Sequence, residues 1–233
     1  MIECNELTFS YSQKQKVLDN INLILQPGHI YGLLGKNGEG KSTLLKLICG
    51  LLIPDRGACR LWNQDVKYRP VELLQKLFLV QEKPEFPDVR VNEYFTMYAP
   101  FYPSFNNEIL KTCMEYFEID HTKRIKKLSH GQQKKVLITM ALAANTPILL
   151  FDEPTNGLDI PSKKIFRQLL ASFVREEQIV ILSTHQVRDL DSLIDSVIIM
   201  DKGKIAYNDS LDNCSTSLES LFEEIIVTPQ LKV

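Results

Sequence analysis

The chain has 233 residues, 44% of them hydrophobic, enough to bury a sizeable core in one domain of two lobes. A formal net charge of −2 offers no basic surface for nucleic acid, and no apolar run reaches the length of a membrane span. Five scattered cysteines without Cys-x-x-Cys spacing argue against a disulfide scaffold and read as the reduced thiols of a cytosolic protein; Glu3, Asn5 and Glu6 interrupt any signal peptide.

Leu7, Phe9 and Tyr11 alternate, Val17 to Leu25 follow, and Gln26-Pro27-Gly28 turns the chain, so the first segment reads as antiparallel strands. Ile30-Tyr31-Gly32-Leu33-Leu34 then reads as a buried strand that opens an α/β core. It runs into Gly35-Lys36-Asn37-Gly38-Glu39-Gly40-Lys41-Ser42, a match to Gly-x-x-x-x-Gly-Lys-[Ser/Thr]. Leu44, Leu45, Leu47 and Ile48 fall at helical spacing behind it, and Gly50 and Pro54 stop that helix. A loop so placed turns backbone N–H groups and the positive end of a helix dipole toward an anion, with Lys41 for β and γ phosphate oxygens and the Ser42 hydroxyl for magnesium.

A second apolar run, Leu77-Phe78-Leu79-Val80, ends at Gln81, and the chain then becomes a helical insert over about 82–127. Tyr94, Phe95, Tyr98, Phe101, Tyr102, Phe105 and Phe117 crowd it; some must build its own core, and the rest are free to form a groove for a partner's helix. Leu128-Ser129-His130-Gly131-Gln132 follows, in which Ser129 is an N-cap for a helix carrying Val136, Leu137, Met140, Ala141 and Ala144. Alone, this is only a capped helix; beside a phosphate loop it is a second helix N-terminus suited to an anion.

Ile148-Leu149-Leu150-Phe151-Asp152-Glu153, bracketed by Pro147 and Pro154, is an apolar strand ending in paired carboxylates. Ligands collect at the carboxyl ends of parallel strands, so both belong beside the phosphate loop. Asp152 is placed to hold Mg²⁺ through water, and Glu153 to orient or deprotonate a water attacking a γ-phosphate. His185 follows the strand Ile179 to Leu182; taken singly it reads as structural. Val197 to Met200 and Ile205 to Tyr207 flank a hairpin turn, and Leu218, Leu221, Phe222 and Ile225 mark a final amphipathic helix.

In this combination and order the motifs resemble those of the nucleotide-binding subunits of ABC transporters over essentially the whole chain. The resemblance implies an α/β fold with a P-loop NTPase core, an N-terminal antiparallel β-subdomain and a helical signature subdomain, all in one domain over 1–233. It implies ATP with Mg²⁺, and ATP hydrolysis. Gly35, Asn37, Gly38, Gly40, Lys41, Ser42 and Thr43 correspond to Walker A, Leu128 to Gln132 to the signature, with Ser129, Gly131 and Gln132 as its contacts, and Ile148 to Asp152 to Walker B. Glu153 takes the catalytic-base position, His185 that of the switch histidine, Asp159 that of the D-loop aspartate, and Gln81 that of the Q-loop glutamine sensing Mg²⁺ and water. Tyr11 resembles the adenine-stacking aromatic, though it reads equally well as a half-buried strand tyrosine. His130 and Glu39 depart from the family pattern, where Gly and a small residue are usual, and bear on turnover.

The resemblance further implies a homodimer in which one subunit's signature closes over the ATP of the other, and an integral membrane permease on a separate chain. Docking is expected near Gln81, Glu82, Phe86, Tyr94 and Tyr98, and would make the subunit peripheral on the inner face of the membrane. The stretch Tyr98 to Phe105 and the Gly157-Leu158-Asp159 D-loop look most like bacterial ABC-2-type exporter ATPases, which move peptides, drugs or lipids. The alternative is a soluble ABC ATPase of the cofactor-assembly type, without a permease.

Overall fold

The computed structural model describes residues 1–12, 15–187, 193–214 and 216–226. Two sheets organise it. An antiparallel sheet has the order β2-β1-β4-β5, from β1 (Ile2–Phe9), β2 (Leu18–Leu25), β4 (Arg56–Leu61) and β5 (Gln64–Asp65). A six-stranded sheet has the order β10-β9-β3-β8-β7-β6, from β3 (His29–Leu34), β6 (Leu77–Val80), β7 (Ile148–Asp152), β8 (Ile179–Thr184), β9 (Ser196–Asp201) and β10 (Lys204–Ser210). Its pairings are parallel except for the β9–β10 hairpin. The first sheet is only half N-terminal: β4 and β5 return to it after the first helix, and Cys4 pairs with Cys59 across β1 and β4.

The large sheet is apolar on both faces, as a parallel sheet covered on both sides must be. Along β7, Ile148 and Leu150 face the cluster shared with the antiparallel sheet and α1 (Lys41–Ile48), while Leu149 and Phe151 face the cluster shared with the helices of the other side. β8 and β9 alternate likewise, which fixes their register, since a one-residue slip would exchange the two faces.

The short α2 (Val71–Leu74) precedes β6, α3 (Val91–Tyr98) and α4 (Asn107–Tyr116) form the helical insert, and α5 (His130–Ala144) leads back to β7. α6 (Ile160–Phe173) precedes β8, and α7 (Leu218–Ile226) is the last described element. Phe86, Tyr94, Phe95 and Phe117 are buried in the insert's core, with Phe86 and Tyr94 ring to ring at 5.5 Å. Two of the expected docking residues, Phe86 and Tyr94, are therefore core, because their rings pack with Phe95, Ile109 and Phe117 and bury more apolar area there than an exposed groove would. Tyr98 is half-buried against Tyr94, and Gln81 is exposed.

Candidate nucleotide site

Register builds the site. β3, β8 and β7 lie side by side and parallel, with Leu34 opposite Thr184 and Asp152 opposite Ser183, so the loops leaving their carboxyl ends converge. The first of these loops leads directly into α1. Gly40 caps that helix at φ 97°, and a Cβ there would lie 2.6 Å from Leu18 Cδ2, so both conformation and space call for glycine.

A cavity of about 670 Å³ opens at this point, lined by Tyr11, Asn37, Gly38, Gly40, Lys41, Ser42 and Thr43 from the loop side and by Glu82, Glu153, Asn156, His185 and Gln186 opposite. Lys41 is buried, and its Nζ donates to Gly35 O at 2.7 Å and Lys36 O at 3.1 Å. Burial pulls its pKa below the usual lysine range, and Glu153, Asp152, Glu39 and Glu82 partly offset this. Glu39 is absent from the cavity lining.

The two carboxylates are held differently. Asp152 Oδ1 accepts from Ser42 Oγ at 2.9 Å and from Ser183 Oγ at 2.7 Å. Ser42 and Asp152 thus present adjacent hard oxygens, the donor chemistry Mg²⁺ takes when one carboxylate and a hydroxyl share it with phosphate. Glu153, one residue on, sits in the left-handed region at φ 47°, which turns its side chain out of the strand's alternation. Its Oε1 lies 2.8 Å from His185 Nδ1, and its Oε2 accepts from Thr184 Oγ1 at 3.2 Å. The carboxylate is buried yet borders the cavity, so it can reach a water there while its orientation stays fixed.

Tyr11 is 61% exposed at the cavity's rim, its ring edge-on to Phe9 and its hydroxyl 3.2 Å from Thr43 Oγ1. Gln81 does not line the cavity; its neighbour Glu82 does, with Asn156 Nδ2 donating to Glu82 Oε1 at 3.3 Å. Glu82, expected as a docking residue, lines the cavity instead, and Asn156, Gln186, Ser183 and Thr184 escape sequence reasoning, although the polar Ser183-Thr184 pair ending an otherwise apolar strand is a usable signal.

The signature lies elsewhere. Ser129 Oγ accepts from Gln132 N, and Gln132 Oε1 accepts from Ser129 N at 3.0 Å, a reciprocal capping box. None of Ser129, Gly131 and Gln132 borders the cavity of its own chain. His130 begins α5 as an ordinary helical residue and rests on Gly157: a Cβ at Gly157 (φ 83°) would lie 2.7 Å from His130 Cδ2. Gly131 meets the same glycine, 2.6 Å separating Gly157 O from a Cβ built at 131. Asp159 caps α6, its Oδ1 accepting from Ser162 N at 2.9 Å, and these bonds lower its carboxyl pKa.

Comparison with known proteins agrees with this geometry. The sequence pattern of the family described as "ABC transporter" matches residues 18–156. The ABC transporter ATP-binding protein NatA of Bacillus subtilis is 30% identical, the match covering 94% of both chains. The bacitracin transport ATP-binding protein BcrA of Bacillus licheniformis is 30% identical over 88% of this chain and 68% of its own. Among solved structures, an ATP-binding cassette described as dimeric, in a post-hydrolysis state with ADP and Pi, superposes with TM-score 0.78 at 25% identity, over 91% of this chain and 99% of its own. With its phosphate loop, paired carboxylates and capped signature helix on one continuous fold, this chain belongs to the ABC transporter family as an ATP-binding and ATP-hydrolysing cassette.

Proposed function

We propose that the chain is the motor subunit of a membrane exporter, acting as a homodimer that closes on ATP and Mg²⁺ and opens after hydrolysis. The observation that carries the dimer is the separation just described: each protomer has a phosphate cavity and, apart from it, a capped helix N-terminus bearing Ser129, Gly131 and Gln132. A head-to-tail pair related by a two-fold axis uses both, twice, and is closed. Each signature then covers the γ-phosphate in the other protomer's cavity, with Asp159 at the same seam.

Within the site the chain's own groups divide the work. Backbone N–H groups of Gly38, Gly40 and Lys41 receive the phosphates, Lys41 exchanging its contacts with Gly35 O and Lys36 O for β and γ oxygens. Ser42 and Asp152 would hold Mg²⁺, which would supply positive charge to offset that developing on the phosphates. Thr43 supports the loop through Tyr11, whose exposed ring takes the adenine. Glu153 orients the attacking water and accepts its proton, while His185, bonded to Glu153, reaches the γ-phosphate. Gln81 reaches the site only with movement of the loop after β6, since here Glu82 occupies the lining.

Export is favoured by the kinship with the Nod factor export ATP-binding proteins I of Burkholderia, 27% identical over 81% of this chain, and by the resemblance of residues 98–105 to ABC-2-type exporters. Among the described residues no helix is long and apolar enough to cross a membrane; the kinship with transport ATP-binding proteins supports, as the path, a permease on a separate chain. It would dock near Gln81 and Tyr98, where Met97 and Phe101 are also exposed, and hold the subunit at the cytoplasmic face. Purification of the tagged subunit from detergent-solubilised membranes with ATP and Mg²⁺ tests this. Co-purification of a multi-span protein is expected; a soluble dimer with no membrane partner overturns the exporter in favour of a cytosolic ABC ATPase.

A further inference from the structure

We infer that Lys134 is a positioning residue that ties the signature helix to the loop after β6, so that nucleotide in one protomer's cavity sets the stance of that protomer's signature. The inference rests on the dimer proposed above. Lys134 stands one turn inside α5 and is 1% exposed. Its Nζ donates to Gln81 O at 3.0 Å and to Glu82 O at 2.9 Å. These are the two residues at which the chain leaves β6 and comes to the phosphate cavity.

A buried ammonium bonded to main-chain carbonyls is a costly way to fill space; methionine would fill it without desolvating a charge. The cost shows in its pKa, which burial lowers, with the charges of Asp152, Glu82 and Glu153 partly restoring it. Lysine does supply what methionine lacks: donors that reach two successive carbonyls from another element. The same three segments also meet twice more. Asn156 Nδ2 donates to Glu82 Oε1, and the neighbouring Gly157 packs under His130 and Gly131. A closed circuit results, running from α5 through Lys134 to the loop after β6, through Glu82 to the loop after β7, and through Gly157 back to the first turn of α5.

Glu82 and Asn156 line the cavity, whereas Ser129 and Gly131 do not. Displacement of Glu82 by an incoming nucleotide therefore pulls on Lys134 and, through it, on a signature that serves the other protomer's ATP. Two sites linked in this way bind and turn over cooperatively.

The test is ATPase activity against ATP concentration for wild type, Lys134→Met and Lys134→Arg, with fluorescent-nucleotide binding to the isolated protomer as a check on the cavity. Wild type is expected to show a Hill coefficient approaching about 2. Lys134→Met should bring it to about 1 and lower kcat about five- to tenfold, with protomer affinity unchanged, and Lys134→Arg should restore cooperativity. Should Lys134→Met fail to fold by circular dichroism, Asn156→Ala, on the exposed side of the circuit, has to lower the Hill coefficient instead. A cooperative wild type whose variants are equally cooperative overturns the role of Lys134 alone. A wild type that hydrolyses ATP as a monomer without cooperativity overturns the dimer and this inference together.

Discussion

The phosphate cavity and the signature are both built at helix N-termini, yet they are finished to different degrees. At the cavity, three strand ends carry a buried lysine and a cross-bonded set in which Ser42, Asp152 and Ser183, and Glu153, Thr184 and His185, hold one another in place. At the signature, Ser129, His130 and Gln132 are exposed, and their hydrogen bonds only close their own helix turn. One region rests on a sheet buried on both faces, the other on a small insert and on Gly157. On the dimer proposed above, the first half would be the receptor, able to hold nucleotide unaided, and the second a lid that acts only when another protomer presents phosphates to it.

Removing chemistry from the finished half has the largest effect. Glu153→Gln keeps a side chain of the same shape beside His185 and Thr184 but removes the proton acceptor, so steady-state ATPase assays should show kcat down by about a hundredfold to ten-thousandfold with nucleotide still bound. Retained turnover would move the base elsewhere. Damaging the lid comes next. Gly131→Ala pushes a Cβ into Gly157 O, which costs about 1–3 kcal/mol and displaces the first turn of α5. Turnover should then fall about ten- to hundredfold, whereas nucleotide titration of the protomer should give an unchanged Kd, sharpening the division between halves. The smallest effect is at the rim: Tyr11→Ala removes an exposed stacking surface worth about 1 kcal/mol, roughly fivefold in ATP Kd by fluorescence titration, with kcat little altered.

Much of the finished half was legible in the sequence because its signals are local. A glycine-rich loop between an apolar strand and a helical period, and a strand ending in Asp152-Glu153, need no knowledge of distant packing, and the structure sets them on either side of the end of β8. Ser129 and Gln132 were legible for the same reason, as an N-cap and its N3 partner. What failed to show depends on where side chains point after packing. Gln81 and Glu82 are consecutive as the chain leaves β6, and tertiary packing brings the second to the cavity and leaves the first exposed. Phe86 and Tyr94 look the same in sequence whether they build a core or line a groove. Lys134, in the polar run Gln132-Gln133-Lys134-Lys135, carries no sign of burial, since only the carbonyls of a segment more than fifty residues away make its position tolerable. The antiparallel sheet was legible at β1 and β2, but its completion by β4 and β5 required the long return across the lobe.

The claim that a complete site needs two protomers is tested most directly by the solution mass of Glu153→Gln, measured by light scattering with and without ATP and Mg²⁺. The account predicts a protomer of 26.8 kDa without nucleotide and about twice that mass with it, because ATP that is bound but not hydrolysed holds two cavities against two signatures. A variant that binds ATP stoichiometrically and remains at the protomer mass would contradict it.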